Sequence, residues 1–306
     1  MRKSRAAVNF EYYALRTACA LVNVIPYRIA MAMARGLAVL AVRVFKFQRA
    51  RTFARIAQVF PDLDERGKLA IAVDSLYNVI GNAVEMIRAP KLTRQWMDEH
   101  VIDGAGYKAK LQAYVDEGKG VVIMVPHSGN WYMAAWSMAK YGLPLFAIAA
   151  RQRNPKINEW MNRQYGDIEV LCRSEHGTLN RIKDYLQGGR AFAILPDLRV
   201  PTPDTETDFL GHKANVSHGA CMFAVKCGSP IVLAAMERRG GKHAFNHLAT
   251  LRPEGKTAQE LTQEAMRILS EHIMKHPGDW FWYNKRWILE PVHDYWNWKK
   301  TQGETP

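Results

Sequence analysis

The sequence predicts an α/β fold in which a mostly parallel central sheet is flanked by helices and preceded by a helical N-terminal region. Five short apolar runs alternate with amphipathic segments after residue 120, which is the order of strands and helices in a parallel sheet. Of the 306 residues, 48% are hydrophobic and 23% are charged, so the chain is able to bury a large core and is not a disordered one. No obvious linker divides residues 61–306, which we therefore assign to one α/β domain.

Residues 1–60 form the second predicted unit because their charge differs from that of the rest of the chain. Residues 1–55 contain 11 Lys and Arg but one acidic residue, and the whole chain has a net charge of +13. Arg28, Arg35 and Arg43 are spaced so that they share one stripe of a helix whose other residues are mainly apolar. Such a helix suits the headgroup layer of an anionic membrane. The alternatives are an amphipathic helix packed on the core and a single tilted membrane span.

Apolar runs and helix signals predict the elements of the α/β domain. Short apolar segments bounded by turn residues predict strands at 121–125, 144–150, 169–172, 191–197 and 230–237. Apolar residues at helical spacing, with glycine or proline at the ends, predict helices at 61–90, 103–116, 131–141, 154–166, 178–189 and 218–228.

Two polar clusters follow predicted strands directly, where functional groups gather in sheets of this type. His127 comes after the first strand, in the segment VPHSGNWY, and Asp197 ends the fourth strand, in LPDLR. A histidine in a turn before a helix suits a general base, with the backbone N–H groups of residues 128–131 as donors to a developing negative charge. The structural alternative is a histidine that caps the helix.

Several classes of protein are excluded or disfavoured by missing patterns. The chain has no GxSxG, Walker or GxGxxG motif, which removes serine hydrolases and most nucleotide-binding enzymes of recognisable type. The four cysteines have no paired spacing, so we expect reduced thiols, no disulfide framework and no metal site. A nucleic-acid partner is not expected, because no helix-turn-helix, RRM or zinc finger is present and the positive charge lies among apolar residues.

Six segments, read in order along the chain, form a specific set: VVIMVPHSGNW, RQRNP, LQGGRAFAILPD, DFLG, GSPIVLAAMER and HPGDWFWYNKRW. Over residues 10–290 the chain resembles the bacterial lipid A (lauroyl/myristoyl) acyltransferases and, closely, the mycobacterial phosphatidylinositol mannoside acyltransferases of the lysophospholipid acyltransferase superfamily. The resemblance implies an enzyme on the cytoplasmic face of the inner membrane. It would move a fatty acyl chain from an acyl carrier protein or coenzyme A thioester to a hydroxyl of a membrane glycolipid or lysolipid, with no other cofactor.

The family motif His-x4-Asp/Glu is incomplete in this sequence. His127 fills the histidine position, to which the resemblance gives the role of general base, but Tyr132 stands where the acid is expected. Two acids are available as replacements. We favour Glu206, which aligns with a glutamate thought to pair with the histidine in the mycobacterial branch, over Asp197; Tyr132 itself, or no partner, completes the alternatives. The missing acid also leaves open a catalytically impaired, lipid-binding relative.

The resemblance further implies a set of substrate-binding residues at the cleft: Asn130, Trp131, Arg151, Arg153, Arg173 and Gly211. The three arginines suit the phosphates of a glycolipid or of phosphopantetheine, and their alternative is solvated surface charge. The basic N-terminal region suits an acidic acyl carrier protein as well as anionic lipid. The C-terminal tryptophans stand among lysines and arginines and suggest an interfacial belt, although the first two of them suit the core better. They are Trp280, Trp282, Trp287, Trp296 and Trp298.

Overall fold

The computed structural model describes residues 4–200 and 203–289 of the chain. The described residues form eleven α-helices: α1 Arg5–Val24, α2 Tyr27–Arg43, α3 Arg49–Val59, α4 Glu65–Arg88, α5 Arg94–His100, α6 Gly104–Tyr114, α7 Trp131–Lys140, α8 Pro155–Tyr165, α9 Thr178–Gln187, α10 Gly219–Cys227 and α11 Ala258–Lys275. They also form nine strands: β1 Val101–Ile102, β2 Val121–Met124, β3 Leu145–Ala149, β4 Glu169–Cys172, β5 Ala191–Ile194, β6 Thr205–Phe209, β7 His212–Val216, β8 Ile231–Arg239 and β9 Lys242–Leu251.

Seven of these strands form one sheet, in the order β1-β9-β8-β2-β5-β3-β4. Neighbouring strands run parallel except β8 and β9, which pair antiparallel. Strands β6 and β7 form a separate antiparallel hairpin. The predicted class, a mostly parallel sheet flanked by helices, is confirmed.

The five strands predicted from apolar runs all exist, as β2, β3, β4, β5 and β8. These strands can be recognised from the sequence because helices cover both faces of the sheet. All four residues of β2 are buried, for example, so no polar residue interrupts its apolar run. The hairpin and β9 were not predicted. Residues of β6 alternate between buried and exposed and include four polar or charged side chains, and β9 is only partly buried, so neither stands out as an apolar run.

Local signals set the ends of several helices. Asp64 caps α4 by accepting a hydrogen bond from the N–H of Gly67 at 2.7 Å, and Asn154 caps α8 just before Pro155. Helix α11 begins with a capping box in which Thr257 and Glu260 satisfy each other's backbone N–H groups. These caps fix where each helix starts, and so which side chains it turns toward the sheet.

The predicted core role of Trp280 and Trp282 is confirmed, whereas the prediction of an interfacial belt is wrong for Trp287, which is buried in the core with them. Trp280, Trp282 and Trp287 are buried and pack against one another, with ring centroids of Trp280 and Trp282 4.9 Å apart. Trp296 and Trp298, the other tryptophans of the predicted belt, lie outside the described residues. The 276–289 segment is therefore part of the core that supports the sheet edge.

The N-terminal region begins with two helices separated at Pro26, and the second of them packs along α4. One stripe of small residues on α2, Ala30, Ala34, Ala38 and Val42, is buried in that contact. The predicted arginine stripe is exposed, and Arg35 is hydrogen-bonded to Asp74. On its buried side, α2 therefore packs on the core as an amphipathic helix, which is one of the alternatives given above.

The outward side of this region is apolar as well. Large apolar side chains that stay exposed here are Phe10, Leu21, Val24, Ile29, Met33, Leu37, Leu40, Val44, Phe45 and Phe47. Among residues 4–200 and 203–289, none of the helices has the length and hydropathy required to cross a bilayer. Membrane association and the boundary at residue 60 stay predictions.

Candidate active site

The register of two neighbouring strands brings His127 and Asp197 together. Strands β2 and β5 are parallel and adjacent, and Met124 of β2 pairs with Ile194 of β5. His127 and Asp197 each follow these paired residues by three positions, so both arrive at the same edge of the sheet at the same height. The imidazole Nδ1 of His127 lies 2.8 Å from Oδ1 of Asp197.

The carboxylate of Asp197 is fully buried and holds three hydrogen bonds. Its Oδ2 accepts from the backbone N–H of His127 at 2.7 Å and from the indole Nε1–H of Trp280 at 2.7 Å, while Oδ1 faces Nδ1 of His127. Burial opposes ionisation, but the attraction to His127 and these hydrogen bonds outweigh it and hold the pKa of Asp197 below its usual value. A buried ionised acid therefore orients the histidine.

This arrangement determines which of the two imidazole nitrogens of His127 can accept a proton. Because Nδ1 is bound to Asp197, it carries the proton in the neutral ring, and Nε2 is left as the basic nitrogen. The side chain of His127 is 15% exposed, and its ring lies edge-on to Trp131 with centroids 5.1 Å apart. A histidine held by an acid at one nitrogen and free to accept a proton at the other is the arrangement of a general base.

The turn after His127 is fixed by backbone hydrogen bonds. The N–H of Ser128 donates to the carbonyl of Pro126, that of Gly129 to Asp279, and that of Asn130 to Met236. Gly129 has a φ of 57°, and a Cβ on it would lie 1.8 Å from the carbonyl oxygen of Met236, so only glycine fits. The expectation that the N–H groups of residues 128–131 serve an oxyanion is therefore wrong for residues 128–130, because each of these three already has a partner inside the protein. For Trp131 it stays a prediction.

Asn130 begins α7 and joins it to a buried carboxylate behind the site. Its Oδ1 accepts from the N–H of Met133 at 2.9 Å, and its Nδ2 donates to Oε2 of Glu85. Asn82, one turn before Glu85 on α4, donates to the carbonyl of Gly129 at 2.8 Å. Asn130 thus acts in this structure as a helix cap and a link to α4, not as a residue facing the cavity.

Glu85 is the centre of a buried polar network that sequence reasoning missed. Both of its oxygens accept hydrogen bonds from the guanidinium of Arg238, at 2.8 and 2.6 Å. Oε1 also accepts from the hydroxyl of Tyr27 at 2.7 Å and lies 2.9 Å from Nε2 of His243. Burial works against its charge, but the interactions with Arg238 and His243 prevail and keep the pKa of Glu85 far below its usual value. The sequence signal for this network is Glu85 itself, an acidic residue among the apolar residues of the predicted helix 61–90.

An apolar cavity of about 180 Å³ begins at His127 and extends between the sheet and the helices. Trp131, Tyr132 and Val125 line it beside the histidine, and it also reaches Tyr107, Leu111, Ile123, Trp136, Met138, Ala147, Tyr165 and Ile168. Few polar groups face it apart from His127 and the tyrosine hydroxyls. Such a space suits a hydrocarbon chain better than a sugar or a nucleotide.

The structure pairs His127 with Asp197 and not with Glu206. Glu206 is on β6, whose buried residues are Thr205, Thr207 and Phe209, so its carboxylate points outward; it is 61% exposed and lies 3.9 Å from Nζ of Lys213. The preference for Glu206 is corrected for this reason. Tyr132 packs on Trp136 at the cavity wall, where burial raises the pKa of its hydroxyl, so it stays neutral and does not replace a carboxylate.

The remaining predicted binding residues are spread along the sheet edge. Arg151 follows β3 and Arg173 follows β4, at the same edge as His127 but on the far side of β5. With Arg153 they are exposed, and Arg151 pairs with Glu175 at 2.9 Å. Gly211 is in the turn between β6 and β7 with a φ of 77°, and its place there is explained by the turn. Of the predicted binding residues, Trp131 borders both the histidine and the cavity.

Comparison with known proteins shows to which family this chain belongs. Residues 2–288 match the sequence model of the family described as bacterial lipid A biosynthesis acyltransferase. The chain belongs to this family. Among its curated relatives is the phosphatidylinositol mannoside acyltransferase of Mycobacterium tuberculosis, which is 24% identical to this chain over 217 residues. The aligned residues cover 67% of this chain and 66% of the relative, so this chain spans slightly less than two thirds of the relative's length. The protein of the same name from Mycolicibacterium smegmatis is 22% identical over 185 residues, or 59% of this chain and 60% of that relative.

Removing Glu85 is predicted to destabilise this family member strongly. Glu85→Ala leaves Arg238 buried without its counter-charge, which costs about 3–5 kcal/mol of unfolding free energy. Replacing both residues by methionine is expected to recover part of that loss, because no uncompensated charge remains. Urea unfolding followed by circular dichroism measures all three proteins.

The matched control is Glu117→Ala, which removes one member of the exposed pair with Arg252. We expect no measurable change there, because exposed ion pairs contribute little. A Glu85→Ala protein as stable as the control would contradict the assigned role of the network.

Proposed function

We propose that this chain transfers a fatty acyl group from a thioester to a hydroxyl of a membrane lipid. The observation that supports the proposal most directly is the His127–Asp197 pair at one end of an apolar cavity. Membership of the acyltransferase family and the names of the relatives support the same reaction. The cavity gives the acyl chain a place to lie, with its thioester carbonyl next to the histidine.

In the proposed reaction, Nε2 of His127 removes the proton from the acceptor hydroxyl. The oxygen attacks the thioester carbonyl, and the tetrahedral intermediate collapses with cleavage of the carbon–sulfur bond. The imidazolium then returns the proton to the departing thiolate, so the products are an ester and a free thiol. Asp197 holds the ring and stabilises its positive charge during the step.

The donors to the oxyanion are proposed to lie at the start of α7. The N–H groups of residues 128–130 and of Met133 have partners inside the protein, which leaves those of Trp131 and Tyr132 as the first-turn donors. They project from the positive end of the helix dipole beside His127. An oxyanion there would receive two N–H bonds without any rearrangement of the turn.

The donor is proposed to be an acyl carrier protein or coenzyme A thioester, and the acceptor a glycolipid or lysolipid. Both donors carry a phosphopantetheine, whose phosphate suits Arg151, Arg153 and Arg173 at the same sheet edge. The name of the mycobacterial relatives favours a mannosylated phosphoinositide among glycolipids. The basic N-terminal region suits the acidic surface of a carrier protein or anionic lipid.

We expect His127→Ala to lower acyl transfer by about 10²–10⁴-fold, because the proton acceptor is lost. Asp197→Asn should lower it at least tenfold, since Nδ1 would no longer face a charged acceptor. The assay gives purified protein both thioester donors with a panel of lysophospholipid and glycolipid acceptors, and counts labelled ester by chromatography.

Two control variants separate this pair from other acids. Glu206→Gln should keep normal turnover. Asp204→Asn should do so too, although it breaks a second histidine–aspartate contact, in which Oδ1 of Asp204 lies 2.9 Å from Nδ1 of His218. Normal turnover in a folded His127→Ala protein would refute the proposal that His127 is the general base. Lipid retention without turnover in the wild type would instead support a lipid-binding relative that has lost catalysis.

Filling the cavity is predicted to shorten the preferred acyl chain. Ala147 lines the cavity, and phenylalanine there occupies space that a long chain needs. Ala147→Phe should therefore shift the ratio of kcat/KM values toward shorter acyl donors, as measured with a series of chain lengths. The control, Ala113→Phe, puts the same ring on the exposed side of α6 and should leave the ratio unchanged. Equal ratios in both variants would reject the cavity as the acyl site.

We also propose that the enzyme lies on the cytoplasmic face of the inner membrane, held by the exposed apolar side of α1, α2 and the loop after them. Leu37 and Phe45 are 53% and 72% exposed there, beside the basic stripe. Leu37→Gln with Phe45→Gln should weaken binding to phosphatidylglycerol vesicles at least about tenfold in co-sedimentation. The matched double variant, Leu179→Gln with Met274→Gln, alters exposed apolar residues elsewhere, and equal loss in both would contradict the proposal.

A further inference from the structure

A second cluster of ionisable side chains lies outside the proposed active site, where β8 and the end of α11 meet. It contains Glu237 near the end of β8, His272 in the last turn of α11 and His276 directly after that helix. Oε1 of Glu237 is 3.9 Å from Nε2 of His272 and 3.9 Å from Nε2 of His276. One donor atom from each residue lies within 4.8 Å of the others. Three potential ligands therefore surround one point.

His272 carries a polar atom that its surroundings do not satisfy. The residue is 5% exposed, and within the described part of the chain its Nε2 has no hydrogen-bond partner. Buried side-chain nitrogens are rarely left without a partner, and each exception requires a reason. The Nε2 atom of an imidazole is a nitrogen through which histidine commonly binds metals. That nitrogen faces the carboxylate at a distance too long for a hydrogen bond.

The carboxylate of Glu237 is held in position by neighbours on the sheet. Oε1 accepts from Nδ2 of Asn246 at 2.8 Å, and Oε2 accepts from Arg239 at 2.8 Å. A carboxylate oxygen that lies 3.9 Å from two imidazole nitrogens is thus fixed in position by a supporting shell, as metal ligands are.

We propose that Glu237, His272 and His276 form a binding site for a divalent transition-metal ion of the zinc type. Two imidazole nitrogens and one carboxylate oxygen are donors that zinc accepts, whereas magnesium and calcium require oxygen ligands. The histidines are four residues apart, and His276, just past the end of α11, places its ring 5.0 Å from that of His272, centroid to centroid. Bond lengths of about 2.0–2.2 Å draw the three donors together, which the 41% exposed ring of His276 permits.

A metal ion here would brace the turn that supports the catalytic histidine. The turn Pro277–Asp279 follows His276 directly, and the carbonyl of Asp279 accepts from the N–H of Gly129 at 2.9 Å. Phe281, two residues further, donates to the carbonyl of His127 at 2.9 Å. Binding would tie β8, α11 and this turn together without contact with the reacting atoms. The site is structural in this proposal, and it holds whether or not the proposed acyl transfer is correct.

This site was not predicted from the sequence, which was expected to bind no metal. That expectation rested on the four cysteines, which have no ligand spacing among themselves or with histidines, whereas the pattern His272-x3-His276 contains no cysteine. The third ligand comes from a strand 35 residues earlier in the chain, and the fold alone brings it to the helix. The His-x3-His spacing on an amphipathic helix was the available signal.

The test titrates Zn²⁺ into full-length protein without an affinity tag, after removal of metal with EDTA and desalting. Equilibrium dialysis with elemental analysis should give one tightly bound Zn²⁺ per chain, and thermal unfolding should shift upward with Zn²⁺ concentration. His276→Gln should weaken Zn²⁺ binding at least about tenfold. Its side chain is partly exposed, so the variant keeps the fold and remains informative.

A second variant separates a metal ligand from a merely structural histidine. His272→Leu removes an unsatisfied nitrogen from the core, so without metal it should unfold at a temperature no lower than the wild type, but Zn²⁺ should no longer raise that temperature. His176→Gln removes an exposed loop histidine and should bind Zn²⁺ as the wild type does. Equal Zn²⁺ binding in wild type, His276→Gln and His272→Leu, or no tight binding in any of them, would overturn the proposal.

Discussion

The buried carboxylate of Asp197 is the constraint on which the site depends. It connects three parts of the chain that are distant in sequence: the turn after β2 through His127, the loop after β5, and the C-terminal segment through the indole of Trp280. Each hydrogen bond compensates part of the cost of burying the charge, so the loss of one partner leaves the carboxylate poorly solvated. The position of the histidine is consequently set by the core of the protein and not by a surface loop.

Much of this arrangement was predictable because it rests on the pairing of apolar strands. Runs of buried residues gave the strands, and functional groups at the ends of parallel strands gave His127 and Asp197 as candidates. That the two meet follows from register, since residues equally far beyond Met124 and Ile194 arrive side by side. The sequence did not supply that register, so it did not distinguish between the two acids.

The parts that were not predicted depend on contacts that a linear pattern does not contain. Glu206 was preferred by alignment, but the alternation of the unpredicted strand β6 turns it outward. The oxyanion donors were assigned to the turn, although carbonyls from β8 and from the C-terminal segment already bind most of its N–H groups. The role of Glu85 depends on Arg238 and His243, which are more than 150 residues away along the chain. Spacing along the chain does not reveal such partners.

The cavity beside His127 has a practical consequence for handling this protein. Its walls are apolar, and they recognise length and thickness of a hydrocarbon more than its chemical end group. The unbranched tail of an alkyl detergent is, to such walls, equivalent to the tail of a substrate. If the cavity holds the acyl chain as proposed, a detergent chosen to keep the protein soluble is expected to compete with the substrate, and its tail length becomes a variable in every kinetic measurement. Bulky steroid detergents, whose rigid rings fit an acyl-chain site poorly, are then the better medium for such assays.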